Sequence, residues 1–338
     1  MIEPIRVGVV GTGRMGRHHV RIYHELPESE LVGIVDSNPD KAAGLAAEYK
    51  TQAFASVEPL IGKVQAVSIA VPTTEHMAVA APLIEAGIAV LIEKPLAPDS
   101  ATARSLLDLA RKHNTLLQVG HTERFNPVVR AVQKMGVRPR FIETHRISPF
   151  TFRSADISVV MDMMIHDIDI VLHLVRARPS RVESVGVSVL AHCEDIANAR
   201  VIFEDGCVAN MTASRLALKT ERKLRVFSDQ AYLSLDYQKK SGIAIKKDAN
   251  LDLLKLAREK HAKDLSQLAG VDWGSLVKVE PLIIDDVEPL RAELQSFLNS
   301  LRTGEPPAVS AEDGAAAVEL AEQIETACKQ HCWSGLEA

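Results

Sequence analysis

Arg6-Val7-Gly8-Val9-Val10-Gly11-Thr12-Gly13-Arg14-Met15-Gly16-Arg17 decides how this 338-residue chain is read. A short apolar run of strand length leads into three glycines spaced G-x-G-x-x-G. Glycines in that order suit a tight strand-to-helix turn, a close approach of backbone to a pyrophosphate, and close packing of helix on strand. A helix beginning there offers free N–H groups and the positive end of its dipole to phosphate. The same glycine turn serves other nucleotides, and alone it is a weak sign. Here a helical pattern follows (His18 to Glu25), then a second apolar run, Leu31-Val32-Gly33-Ile34-Val35, which ends in Asp36. Asp36 stands 20 residues beyond Gly16, where a dinucleotide-binding unit places a carboxylate on the ribose hydroxyls. A carboxylate there accepts from the 2′-hydroxyl of NAD and repels the 2′-phosphate of NADP. Ser37, Asn38 and Pro39 follow it, with no arginine, so the expected cofactor is NAD.

Outward from that stretch, strand and helix patterns alternate. Asp40 to Tyr49 is helical in composition, Val64 to Val71 is a buried strand ending at Pro72, and Glu75 to Ala86 is a helix stopped by Gly87. Ile88 to Ile92 is a strand, Asp99 to His113 a helix, and Leu116 to Val119 a strand closed by Gly120. Such alternation implies a parallel sheet with helices on both faces. This α/β domain, a doubly wound Rossmann sheet, is expected over residues 1–122. Over 123–338 the rhythm changes to an α+β domain. A helix from Pro127 to Met135 precedes a strand at Arg140 to Ile147 and a helix from about Val159 to Arg176. Extended segments follow at Arg181 to Leu190, Asn198 to Phe203, Val208 to Arg215, Lys223 to Phe227, Tyr232 to Tyr237 and Gly242 to Lys246. Their polar/apolar alternation fits an open, mainly antiparallel sheet with one face covered. The free face is a candidate surface for a homodimer or homotetramer. Ala249 to Leu268 reads as a charged, solvated helix, and Glu288 to Leu301 and Ala311 to His331 as closing helices.

Composition bounds the partners. A hydrophobic share of 46%, a charged share of 25% and a net charge of −5 describe a globular protein without a basic surface for nucleic acid or anionic lipid. No apolar run approaches the ~18 residues of a membrane span. The first residues carry no charged-then-apolar leader. Cys193, Cys207, Cys328 and Cys332 are sparse and fit free thiols in a reducing cytoplasm. No metal site is expected.

Two constellations carry chemistry. Glu93-Lys94-Pro95 ends a strand at the edge where ligands bind in such sheets. A protonated lysine there stabilises the alkoxide charge that develops during hydride transfer, Glu93 orients it or touches the nicotinamide ribose, and Pro95 fixes the turn. A surface lysine before a helix is the plainer alternative. Second, on a straight helix Asp162, His166, Asp169 and His173 share one narrow stripe. His166 is the natural general base for an alcohol proton, with Asp162 or Asp169 setting its tautomer. A buried Asp–His stripe that merely glues helix to sheet is the competing reading. Asp167 is expected at the surface or as a cap. At the domain junction Arg124 and Asn126 are candidates to bind substrate or cofactor, and Arg146 and Arg153 to hold an anionic group such as a diphosphate. Pro72, Thr73 and His76 are expected to line the cofactor cleft, and His18 and His19 the helix surface. With Gly11, Thr12, Gly13, Arg14, Met15, Asp36, Glu93 and Lys94 the cofactor contacts are complete. Expected substrate contacts are Lys94, Arg124, Asn126, Arg153 and His166.

G-T-G-R-M-G, V-P-T-T-E-H, E-K-P-L, G-H-T-E-R-F-N-P and D-M-M-I-H-D-I-D, in that order, resemble the glucose–fructose oxidoreductase/inositol dehydrogenase (Gfo/Idh/MocA) family over essentially the whole chain. The resemblance implies an N-terminal Rossmann domain and a C-terminal α+β domain whose open sheet commonly forms dimers or tetramers. It also implies a nicotinamide-dependent oxidoreductase acting on a sugar, cyclitol or related polyol. Lys94 then matches the lysine of E-K-P, His166 the catalytic histidine and Asp162 its companion acid. With Ser214-Arg215 and Arg222 to Phe227, the motifs are similar to members that oxidise C3 of UDP-N-acetylglucosamine. The resemblance thus implies a nucleotide-sugar substrate, with myo-inositol or a free aldose as the alternative, and an NAD-binding sensor as the non-enzyme alternative.

Overall fold

The computed structural model describes residues 3–151, 156–247 and 277–331. The charged segment 249–268, Arg153 and Cys332 lie outside them.

The first sheet has strands β1 (Ile5–Val10), β2 (Ser29–Val35), β3 (Gln52–Phe54), β4 (Ala66–Ile69), β5 (Ala89–Glu93) and β6 (Leu117–Gly120) in the order β3-β2-β1-β4-β5-β6. Every pairing is parallel, so all six carboxyl ends share one edge and the order reverses beside β1. Helices α1 (Arg14–Glu25), α2 (Pro39–Glu48), α3 (His76–Glu85) and α4 (Ser100–Lys112) connect the strands. Local chemistry starts them. Asn38 caps α2 with Pro39 in its first turn, and Asp99 caps α4 by accepting from the Thr102 amide at 2.7 Å.

The second sheet has eight strands in the order β14-β13-β12-β11-β7-β10-β9-β8. They are β7 (Phe141–Ile147), β8 (Pro179–Val187), β9 (Ile196–Phe203), β10 (Val208–Ser214), β11 (Glu221–Phe227), β12 (Ala231–Asp236), β13 (Ser241–Lys247) and β14 (Val277–Pro281). β7 and β10 pair in parallel and the rest antiparallel. Ile142, Thr144, Leu224, Val226, Leu233, Ala209 and Met211 are buried on one face. On that side lie α5 (Pro127–Met135), α6 (Ile165–Val175) and α8 (Ala311–Gln330). The opposite face carries a tilted aromatic run, with Phe141, Phe227 and Tyr232 at centroid separations of 5.6 and 4.7 Å.

One helix departs from the linear plan. α7 (Pro289–Thr303) returns to the first sheet, where Leu290, Leu294, Phe297 and Leu298 join Val7, Val9, Val20 and Tyr23 in one buried cluster. The core of the nucleotide half is therefore completed by residues from near the far end of the chain.

Candidate active site

The carboxyl edge of the first sheet gathers the sequence-predicted cofactor residues. Gly11 has φ +91°, and a Cβ there would lie 2.5 Å from the Ala70 carbonyl oxygen. A Cβ on Gly16 would lie 1.8 Å from the Gly11 oxygen, whereas one on Gly13 would meet nothing within 4 Å. The outer glycines are demanded by the fold, and the middle one keeps a space clear for something outside it. No side chain caps α1, so its first amides remain free for an anion. Asp36 Oδ2 accepts from the Thr12 amide at 2.7 Å and Oδ1 from the Asn38 amide at 2.8 Å. Burial opposes its charge, but these donors and the Thr12 hydroxyl outweigh it and hold the carboxyl below the usual range. The residues present fit a dinucleotide, with Asp36 ionised for the ribose.

Glu93 ends β5 and Lys94 follows it, with the Lys94–Pro95 peptide cis. Lys94 Nζ donates to the backbone oxygen of Asp162 at 2.7 Å and lies 3.6 Å from Asp162 Oδ1. The helix is not straight here. Val160–Met164 is a π-helical turn ahead of α6, a feature frequent at functional sites. The lysine of the nucleotide half thus seats on the turn just before His166. Burial, and then the positive charge of Lys94, lower the His166 imidazole well below its ordinary pKa. Its Nδ1 is buried without a hydrogen-bond partner among the described residues. Burial also lowers the Lys94 pKa, while Asp162 pulls it back up.

The four-residue stripe splits in two. Asp169 accepts from Arg124 Nε and Nη2 at 2.7 and 2.8 Å, and Arg124 Nη1 donates to His173 Nδ1 at 2.6 Å. His173 is therefore an acceptor and neutral; burial, then the Arg124 charge, lowers its pKa to about 4. The expectation that Asp162 or Asp169 fixes the His166 tautomer is corrected: one acid holds Lys94, the other Arg124. The lower half of the stripe is structural, as the competing reading had it, but it ties the helix to Arg124 at the domain junction rather than to a sheet.

Other placements differ from the sequence reading. His19 is fully buried rather than on the helix surface, and its Nε2 donates to Glu93 Oε1 at 2.9 Å. Asp167 is buried, not a surface acceptor, and takes Arg146 bidentately at 2.9 and 3.0 Å. Arg146 also reaches Glu123 at 3.1 Å, so its charge is spent inside the protein. Arg124 is likewise saturated. Asn126 caps α5 through its side-chain oxygen and donates to Glu123 Oε2 at 3.0 Å. His76 is buried with its ring nitrogens 3.1 Å from the Leu96 oxygen and 3.2 Å from the Val71 oxygen, tying the end of β4 to the loop after Pro95. Arg14, Pro72 and Thr73 lie on the same edge. Glu123 and Arg222 entered the sequence reading only inside family-like motifs, with no role of their own. The signal for Glu123 was an acid within the strand-end run His121 to Pro127. For Arg222 the signal was its place at the head of the family-like run Arg222 to Phe227.

A Rossmann sheet with this edge, facing a second domain that brings a histidine to its lysine, defines a nicotinamide-dependent oxidoreductase. The comparisons agree. The profile of the oxidoreductase family with NAD-binding Rossmann fold matches residues 5–121, and that of the GFO/IDH/MocA C-terminal domain matches residues 138–234. UDP-N-acetylglucosamine 3-dehydrogenase of Acidithiobacillus ferrooxidans is 40% identical over 234 residues, covering 69% of this chain and 74% of that protein. A solved structure of that enzyme from the same organism superposes with a TM-score of 0.85 at 32% identity, covering 97% of this chain and 99% of that one. Inositol 2-dehydrogenase of Corynebacterium glutamicum is 32% identical over 194 residues, 54% of this chain and 58% of that protein. The chain belongs to the GFO/IDH/MocA oxidoreductase family.

Proposed function

We propose that this protein is an NAD-dependent dehydrogenase that oxidises a secondary alcohol of a sugar, C3 of a UDP-N-acetylhexosamine. The observation that carries the reading is Lys94, from the end of β5, seated on the Asp162 turn beside His166. The 40% identity to the 3-dehydrogenase supports the substrate over an uncharged cyclitol.

Gly11, Thr12, Gly13, Arg14, Met15 and Asp36 would hold the adenosine diphosphate side of NAD, and Pro72, Thr73, Glu93 and Lys94 its nicotinamide side, with buried His76 bracing the loop after Pro95. Bound NAD supplies the acceptor for the hydride that leaves the carbon. His166 takes the hydroxyl proton; its depressed pKa keeps the imidazole unprotonated and ready. Lys94 stays protonated, donates to the same oxygen and bears part of the negative charge that develops there. Asp162 holds the ammonium in place through its backbone oxygen and carboxylate. His19 fixes Glu93, and with it the strand end that carries the lysine.

We place the enzyme in the cytoplasm as a homodimer or homotetramer assembled on the open face of the eight-stranded sheet. The exposed edge of the Phe141–Phe227–Tyr232 run supports that face. No helix among the described residues is long and apolar enough to cross a membrane. The test is NADH formation by purified protein with UDP-N-acetylglucosamine, myo-inositol and free glucose. Turnover of the nucleotide sugar above the other two is expected. Turnover of myo-inositol or glucose alone would overturn the substrate, and no turnover with any class despite NAD binding would favour a sensor.

A further inference from the structure

On the covered face of the second sheet, β7 and β11 stay in register. Ile142 pairs with Val226, Thr144 with Leu224, and Arg146 with Arg222. The first two pairs are buried. The third sets two arginines at opposed positions of the register, and like charges so placed destabilise a sheet unless counter-charge is supplied. Arg146 has its own in Asp167 and Glu123. Arg222 has only a share: its Nη1 lies 3.6 Å from the same Glu123 oxygen that Arg146 holds at 3.1 Å. By parity the Arg222 side chain belongs with Leu224 and Val226, which are 0% and 1% exposed, yet it is 46% exposed. The cover of this face is therefore incomplete at Arg222.

Its charged neighbours come from both halves of the molecule. The Arg222 pKa is lowered, by burial first and then by Arg146, with Arg14 of the glycine loop adding to the repulsion. The Arg222 charge also acts on His166. Arg222 therefore lies within electrostatic reach of both the catalytic histidine and the phosphate-binding loop, and its one ion pair among the described residues is the 3.6 Å contact with the Glu123 oxygen that Arg146 holds more closely.

We propose that Arg222 holds the diphosphate of the nucleotide-sugar substrate and so selects charged nucleotide sugars over neutral polyols. The assignment rests on the nucleotide-sugar reading above. A guanidinium fork matches two phosphate oxygens, and an anion placed there neutralises the opposed Arg146–Arg222 pair. Arg124 and Arg146 are spent on Asp169, His173, Asp167 and Glu123. The cofactor has the free amides of α1 for its own pyrophosphate, so the substrate is the diphosphate left to serve.

The experiment measures KM and kcat for UDP-N-acetylglucosamine, together with calorimetric Kd values for UDP and for NAD, in wild-type, Arg222→Gln and Arg222→Lys proteins. Arg222→Gln is expected to raise KM and the UDP Kd about ten- to a hundredfold, the loss of a charge-assisted phosphate contact, with kcat and the NAD Kd unchanged. Arg222→Lys keeps the charge without the fork and should fall between. If wild-type protein turns over UDP-N-acetylglucosamine and both variants match its KM, the assignment is overturned while the substrate stands. A rise in the NAD Kd in place of the UDP Kd also overturns it, giving Arg222 to the cofactor. A wild-type protein that neither binds UDP nor oxidises the nucleotide sugar removes the underlying reading as well.

Discussion

Lys94 must keep its proton where burial penalises it, and Asp162 is the charge that restores it. The two titrating groups set the pH profile in opposite senses. His166 acts unprotonated, and its lowered pKa means that kcat/KM holds below the ordinary imidazole value of about 6.5 before falling on the acid side. Lys94 acts protonated, so activity falls on the alkaline side, below the ordinary lysine value of about 10.5. Asp162→Asn removes the raising influence and should move the alkaline limb to lower pH, measured in kcat/KM across a buffer series. An alkaline limb that stays in place would detach Asp162 from the lysine. At this scale the sequence was legible at or just past a strand end: Asp36, Glu93 and Lys94 all lie where the pattern put them. It was not legible where a charge was cancelled from far along the chain. Nothing local tells that Asp167 neutralises Arg146, or that His19 faces Glu93.

The glycine turn and the π-turn are the elements on which the site depends. Gly16→Ala drives a Cβ into the Gly11 carbonyl and is expected to cost about 1–3 kcal/mol or more, seen as a lower Tm. Gly13→Val meets no protein atom within 4 Å of its Cβ, so Tm should hold while the NAD Kd rises by about tenfold or more. Equal effects on Tm from the two would deny that the middle glycine is kept for a ligand. Periodicity located β1, β4, β5 and the helices between them because fully apolar strands alternate with amphipathic helices. It missed β3, three residues long, and the edge strand β14, whose Val277–Pro281 stretch has no continuous apolar run. The same periodicity assumed a uniform helix through Asp162 and His166. The π-turn at Val160–Met164 changes the angle per residue, and no composition signal marks it.

Across the whole molecule, two long-range ties hold the halves to one geometry. Phe297 of α7 is fully buried against the first sheet, and Phe297→Ala is expected to cost about 3–5 kcal/mol, read from urea unfolding. A smaller loss would mean that α7 is not part of that core. Asp169→Ala leaves buried Arg124 without its bidentate partner and should cost about 3–5 kcal/mol. The two-sheet architecture was legible from the change of rhythm near residue 122. The return of α7 and the parallel β7–β10 pairing were not, because strand order and docking depend on contacts that no window of sequence contains. Both ties serve one claim, that a lysine from one half and an imidazole from the other act on the same hydroxyl. The most direct test is single-turnover NADH formation with UDP-N-acetylglucosamine in Lys94→Ala and His166→Ala proteins whose NAD Kd matches wild type. A fall of about a hundredfold or more in each is predicted. Wild-type rates in either variant would contradict the account.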